Sequence, residues 1–136
     1  MSMIIIEGAH LTRDPQRHEG RNGDFLTFGV AENHRRRDGD GNWIEDGTTY
    51  YDVTVGGRTN LIDNVEASLA KGDKVDIFGH LKAREWEDQN GNTRTSFSVR
   101  ANTVSPSLHW ATAVPDRNEK RAGGGGGHTP PPEDDF

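Results

Sequence analysis

The sequence of 136 residues contains no cysteine. Disulfide frameworks, thiolate nucleophiles and cysteine-based zinc sites are therefore excluded, and a reducing cytoplasm suits the chain. Apolar residues are also scarce, at 30%, and no run of them approaches the length of a membrane span. Met1 to Ile6 lacks the basic n-region and long apolar core of a signal peptide. Cations are not in excess. The net charge is −6, and residues 1–113 alone hold 13 Lys+Arg against 17 Asp+Glu, a net of −4. Such a chain steers a polyanion weakly from afar, but exposed charges are screened beyond about 8 to 10 Å, so a local basic face can still hold phosphates.

Catalytic and metal signatures are missing as well. The six histidines, at 10, 18, 34, 80, 109 and 128, have no ligand spacing and form no H-E-x-x-H. There is no G-x-S-x-G, no P-loop and no G-x-G-x-x-G. Asp38-Gly39-Asp40-Gly41-Asn42 begins like a calcium loop, but Trp43 stands where the turn glycine belongs and Thr49 where the bidentate glutamate belongs. Paired acids occur only as Glu45-Asp46, Glu87-Asp88 and in the tail, where solvated charge is the default. Neither an enzyme nor a cofactor is expected.

What is present is strand periodicity. Met3 to Leu11 opens with three isoleucines in succession, so one face can serve a core and the other needs cover, either within a sandwich or from a second subunit. Ile4 and Ile6 are the residues expected at such a subunit contact. Arg13 to Asp24 is polar and reads as a loop. Leu26, Phe28 and Val30 then alternate with Thr27, Gly29 and Ala31. Asn33 to Gly47 has no periodicity and reads as a loop long enough to be functional or disordered. A third strand from Thr49 to Val55 puts Tyr51, Val53 and Val55 inward and Tyr50, Asp52 and Thr54 outward.

Leu61, Ile62, Val65 and Leu69 share one face of the single good helical pattern, with Asn60 as its cap, Asp63 at the positive end of the dipole and Gly72 as terminator. The stretch from Gly72 to Val104 reads as a long hairpin around Asp88-Gln89-Asn90-Gly91-Asn92, whose Asn-Gly pair suits a tight turn. Val75, Ile77, Leu81 and Ala83 fall on its apolar parity with Phe97, Val99 and Ala101. Lys82, Arg84 and Trp86 fall on the other parity with Arg94, Ser96, Ser98 and Arg100.

Strand, strand, strand, helix, strand, strand is the order of an OB-fold, a five-stranded Greek-key barrel whose strand face and loops bind oligonucleotides or oligosaccharides. Another small β barrel fits the pattern too. The fold class is all-β with one helix, over residues 1–113. Residues 114–136 change composition to charged, Gly-rich and Pro-rich segments ending in Glu133-Asp134-Asp135-Phe136. Too few apolar residues remain there to offset ordering entropy, so a disordered tail is expected, with a reach of roughly 25 Å over about twenty residues.

Single strands are held by cations that follow phosphates and by rings on which bases stack. Tyr50 and Trp86 supply rings, and Lys82, Arg84, Arg94, Arg100 and Arg35, Arg36 and Arg37 supply cations. Each alone has a bland reading: an outward Trp is more often a packing or interface residue, and an arginine run is usually a solvated patch. Their convergence favours a binding face, against which Glu85, Glu87 and Asp88 would repel phosphate. The tip offers a partner a ring and α-carboxylate at Phe136 and acids at Asp134 and Asp135. A tail that merely aids solubility is the plainer alternative.

As a set these residues resemble the bacterial single-stranded DNA-binding protein family, in its actinobacterial branch. The resemblance rests on Leu11-Thr12-Arg13-Asp14-Pro15, Gly29-Val30-Ala31, Asn64-Val65-Glu66-Ala67-Ser68-Leu69 with Lys71-Gly72, Gly79-His80-Leu81, Pro106-Ser107-Leu108 and Ala111-Thr112-Ala113. It implies an OB-fold, a cytoplasmic, nucleoid-associated homotetramer that wraps single-stranded DNA in replication, recombination and repair, and an acidic tip that recruits replication and repair proteins. Trp86 and Tyr50 stand at family stacking positions, and His34 at a loop position that is commonly aromatic. Gly56 falls near another aromatic position, and the tip lacks the usual apolar or proline residue before Phe136. These departures suit a specialised paralogue or a phage or plasmid copy. A contrasting reading is an OB-type adaptor acting mainly through its tail.

Overall fold

The computed structural model describes residues 2–57 and 59–119. The expected tail beyond 119, with Asp134, Asp135 and Phe136, lies outside the described residues. Six strands and one helix follow in the order β1 (Ser2–Leu11), β2 (Gln16–Gly20), β3 (Gly23–Arg37), β4 (Trp43–Val55), α1 (Leu61–Ser68), β5 (Lys74–Glu87) and β6 (Thr93–Pro106). The sheet runs β1-β5-β6-β4-β3-β2, and a further β1–β3 pairing closes β1, β5, β6, β4 and β3 into a barrel. Among the described strands only β4 and β6 are parallel neighbours. This is the OB-fold that the element order implied.

Alternation explains the core. Leu26, Phe28 and Val30 from β3, Val53 and Val55 from β4, Val75 and Ile77 from β5 and Val99 from β6 are buried inside the barrel. Ile62 and Val65 of α1, with Leu69 directly after it, plug one end. Ile6 also belongs to this core at 0% exposure, and Ile4 packs half-buried against it. The expected subunit contact at Ile4 and Ile6 is therefore on the wrong parity: Met3 and Ile5 are the outward apolar residues of β1, Ile5 being 72% exposed.

Four local expectations need correction. Residues of the supposed loop Arg13 to Asp24 form β2, an edge strand paired with β3 from Gln16↔Thr27 to Gly20↔Gly23. It is polar throughout and is tied down by side chains, with His18 stacked on Phe25 at 5.0 Å and Arg17 joined to Asp24, Asp63 and Glu66. The supposed loop Asn33 to Gly47 is mostly a second hairpin arm, its strands paired out to Arg37↔Trp43. Ala83 is exposed because β5 has by then passed the barrel rim. Asn60 stands at the expected cap position of α1, but the side chain that accepts there is Thr59, whose Oγ1 takes the Leu61 N–H at 3.2 Å. The helix ends at Ser68, so Gly72 turns the following loop instead of closing α1.

Two arms thus project from the barrel, β3–β4 and β5–β6, and their turns are built alike. In one, the Asp38 carboxylate accepts from the N–H groups of Asp40 and Asn42, both at 2.9 Å. In the other, Asp88 accepts from Asn90 and Asn92, again at 2.9 Å. Gly41 and Gly91 carry the positive φ in each, so the Asn90-Gly91 pair is part of a five-residue Asp-capped turn in which asparagine keeps a negative φ. The calcium-like string at Asp38 is explained by this turn. Residues 107–119 form no helix or strand, although Asn118 exchanges amide hydrogen bonds with Asn64 of α1 at 2.8 and 3.1 Å.

Candidate nucleic-acid interface

The outward face of the β5–β6 arm keeps one register from Gly79 to Glu87. The cross-strand pairs Trp86↔Arg94, Arg84↔Ser96, Lys82↔Ser98 and His80↔Arg100 therefore stand on one face, as sequence parity implied. Glu85 and Glu87 pair with Thr95 and Thr93 on the reverse. Asp88, the third acid feared near Trp86, is bound to Arg94 Nε at 2.8 Å. That hydrogen bond first, and the Asn92 N–H second, hold the Asp88 carboxyl below its ordinary pKa. The acids beside Trp86 in sequence are thus either on the far side or neutralised.

The β5–β6 face continues onto β4. Tyr51 and Phe97 pair inward, with their rings 6.0 Å apart. Tyr50, one residue earlier, therefore stands outward beside Ser96, the residue before Phe97. Tyr50 is 66% exposed and Trp86 44%. The Trp86 indole N–H donates to Ser96 Oγ at 2.8 Å, which lays the ring back toward Tyr50. Strand spacing puts the two residues, two strands apart, roughly 10 Å from each other on this face.

On the first arm the face is set by a bulge. Register slips between Asn33 and Arg35, where Asn33 pairs with Thr48 but Arg35 with Glu45. The extra residue lies on β4 next to Gly47, whose φ of +92° suits glycine. Counting rungs from Ala31↔Tyr50 through Asn33↔Thr48 and Arg35↔Glu45 to Arg37↔Trp43 keeps all of these on the Tyr50 face. Arg37 sits over the Trp43 ring at 5.0 Å.

His34 and Arg36 fall on the reverse. His34 Nε2 lies 2.7 Å from Thr49 Oγ1 and 4.0 Å from Glu32. Tyr51 donates to the same Glu32 at 3.2 Å. Burial first, and the Glu32 charge second, push the Tyr51 phenol up. Arg36 Nε is 3.4 Å from Asp46. These two residues do not join the Tyr50 surface, whereas Arg35 and Arg37 do.

Sequence reasoning missed two members of the surface, Trp43 and Arg13, and put Ser96 on it without its contact to Trp86. Trp43 was discounted with the calcium-like loop, although the repeated Asp-x-(Asp or Asn)-Gly-Asn string was the available signal that both turns cap strands. Ser96 carries the Trp86 hydrogen bond. Arg13 crosses Gly29, where a Cβ would meet its guanidinium at 2.7 Å, and reaches Asp52 at 3.8 Å. Asp52 thus has Arg13 beside it, and Glu45 stands opposite Arg35. Among the described residues no group of His, Asp and Glu has the arrangement of a metal site, and no helix is long and apolar enough to cross a membrane.

The single-strand binding protein family model matches residues 1–107. The single-stranded DNA-binding protein of Paenarthrobacter aurescens is 32% identical over 112 residues, 82% of this chain and 65% of that protein. Its Mycobacterium leprae counterpart is 32% identical over 121 residues, 88% of this chain and 71% of that protein. This chain spans 56% of the Bifidobacterium longum relative, at 31% identity over 90% of its own length. It therefore covers between about half and two thirds of several such relatives. The crystal structure of a small single-stranded DNA-binding protein from Streptomyces coelicolor superposes with a TM-score of 0.65 at 28% identity, over 78% of this chain and 94% of that one. Sequence match and barrel agree over the same region, and the chain belongs to the single-strand binding protein family.

Proposed function

We propose that this protein binds single-stranded DNA without sequence preference and coats it, with no catalytic role. The observation that carries the reading is the juxtaposition of Tyr50 and Trp86 around Ser96 on an outward face. Lys82, Arg84, Arg94 and Arg100 share that face from β5 and β6, and Arg35 and Arg37 share it from β3. Rings that take bases and flanking cations that take phosphates are what unspecific single-strand binding needs. Family membership supports it, since the relatives carry that binding in their names.

The finer parts of the reading are a role in replication, recombination and repair, a cytoplasmic, nucleoid-associated location, and recruitment of proteins through Asp134, Asp135 and Phe136. A homotetramer completes it. Met3 and Ile5, exposed on the outward side of β1, supply apolar surface that a second copy would cover.

Titrating oligo-dT while following tryptophan emission tests the core claim. Saturable quenching that weakens steeply with salt is expected, log K falling with log salt at about −0.7 per phosphate neutralised. No quench and no mobility shift at low salt would leave the adaptor reading, in which deleting Phe136 abolishes partner binding and DNA affinity was never appreciable.

A further inference from the structure

We propose that Trp43, backed by Arg37, is a second base-stacking site at the tip of the first arm, reached only by strands long enough to run past Tyr50. The inference rests on the single-strand binding reading and extends its surface. Trp43 is 60% exposed at the first residue of β4, beside a short turn that a solvent-facing indole does nothing to close, because the turn is already held by the Asp38 carboxylate. The Gly47 bulge places it on the Tyr50 face, where unbroken alternation would have turned it to the reverse. Arg37 covers one side of the ring at 5.0 Å, and the 60% exposure of the residue leaves room for a base on the open side. A base stacked on the open side would have a guanidinium close by for its phosphate, the pairing of ring and cation that single strands use.

The two arms then act as a pair. Each carries a tryptophan close to an Asp-capped turn and an arginine directly across the ladder from it, Trp43 with Arg37 and Trp86 with Arg94. Because β4 and β6 are parallel neighbours and each begins at its own turn, both turns project from the same end of the barrel. Trp43 lies about 20 Å along β4 from Tyr50, at about 3.3 Å per residue. A strand lying over Trp86 and Tyr50 therefore reaches Trp43 only by continuing along the first arm, over Arg35.

The chain has three tryptophans, so single-tryptophan versions isolate each site. The double variant Trp86→Phe, Trp110→Phe leaves Trp43 as the reporter, and Trp43→Phe, Trp110→Phe leaves Trp86. Oligo-dT of about four and about sixteen nucleotides spans the range of sites known for such barrels. The longer oligomer is expected to quench both reporters, and the shorter one Trp86 alone. Trp43→Ala is expected to weaken binding of the longer oligomer about ten-fold and to leave the shorter unchanged. Emission from Trp43 that ignores the longer oligomer while Trp86 is quenched would overturn this inference and leave the single-strand binding reading standing. Silence of both reporters, with no mobility shift of the wild-type chain, would overturn the reading itself. Arg37→Ala separates stacking from mere support of the turn: it should lower affinity for the longer oligomer at an unchanged melting temperature. A fall in melting temperature with unchanged affinity would make the pair structural.

Discussion

The Trp86 indole N–H donates to Ser96 Oγ across β5 and β6 at 2.8 Å, so the ring is tethered to the strand that borders Tyr50 while much of it stays open to solvent. A residue serving the core would be buried. Trp86→Ala is accordingly expected to leave the melting temperature nearly unchanged and to weaken oligo-dT binding by about 1 to 3 kcal/mol. Ser96→Ala keeps the ring but removes its tether, and a smaller loss is expected. Melting curves and fluorescence titrations on the same samples check both. Unfolding of Trp86→Ala would place the ring in the core after all.

Asp88 closes the second turn, and its carboxyl is held below the ordinary value of 3.8 by Arg94 and by the Asn92 and Asn90 N–H groups. A carboxyl with a depressed folded-state pKa contributes stability above its unfolded pKa and loses it as pH falls through the folded value. The turn should therefore be unaffected from neutrality down to about pH 4 and loosen below that. Amide exchange at Asn90 and Asn92 reports the change. Asp88→Asn removes the titrating group, and a pH dependence that survives it would assign the effect elsewhere.

Gly47 has φ +92° and open space around the position a Cβ would take. The cost of Gly47→Ala is thus backbone strain alone, about 1 to 2 kcal/mol. Relief of that strain by straightening the bulge would rotate Trp43 off the Tyr50 face. Thermal melting should fall slightly, and discrimination between long and short oligo-dT should fall with it. A stability loss with discrimination intact would show that the bulge does not orient Trp43.

Much of the barrel and the β5–β6 arm are legible in the sequence, and the first arm is not, for one physical reason. Leu26, Phe28, Val30, Tyr51, Val53 and Val55 alternate because one side of each strand meets the core and the other does not. Past the rim both sides of β3 and β4 meet solvent, so Asn33 to Gly47 loses its period while still pairing as strand. Strand β2 is hidden in the same way. On the β5–β6 arm no bulge intervenes, and parity alone places Lys82, Arg84, Trp86 and Arg94 correctly. On the first arm it splits Arg36 from Arg35 and Arg37 once the strand is recognised, but no count of parity carries Trp43 through the extra residue at Gly47.

The isoleucines of β1 separate assembly from folding. Ile5 is exposed beside Phe78 of β5, whereas Ile6 is fully buried with Ile77 opposite. If copies associate through the outward side of β1, Ile5→Glu should dissociate them, with light scattering falling to the monomer mass and circular dichroism unchanged. Ile6→Ala removes core volume instead and should cost about 2 to 5 kcal/mol of stability without a direct effect on association. Association that survives Ile5→Glu at full mass would move the contact away from β1, with the exposed Leu108 and Trp110 after β6 as the next surface to substitute.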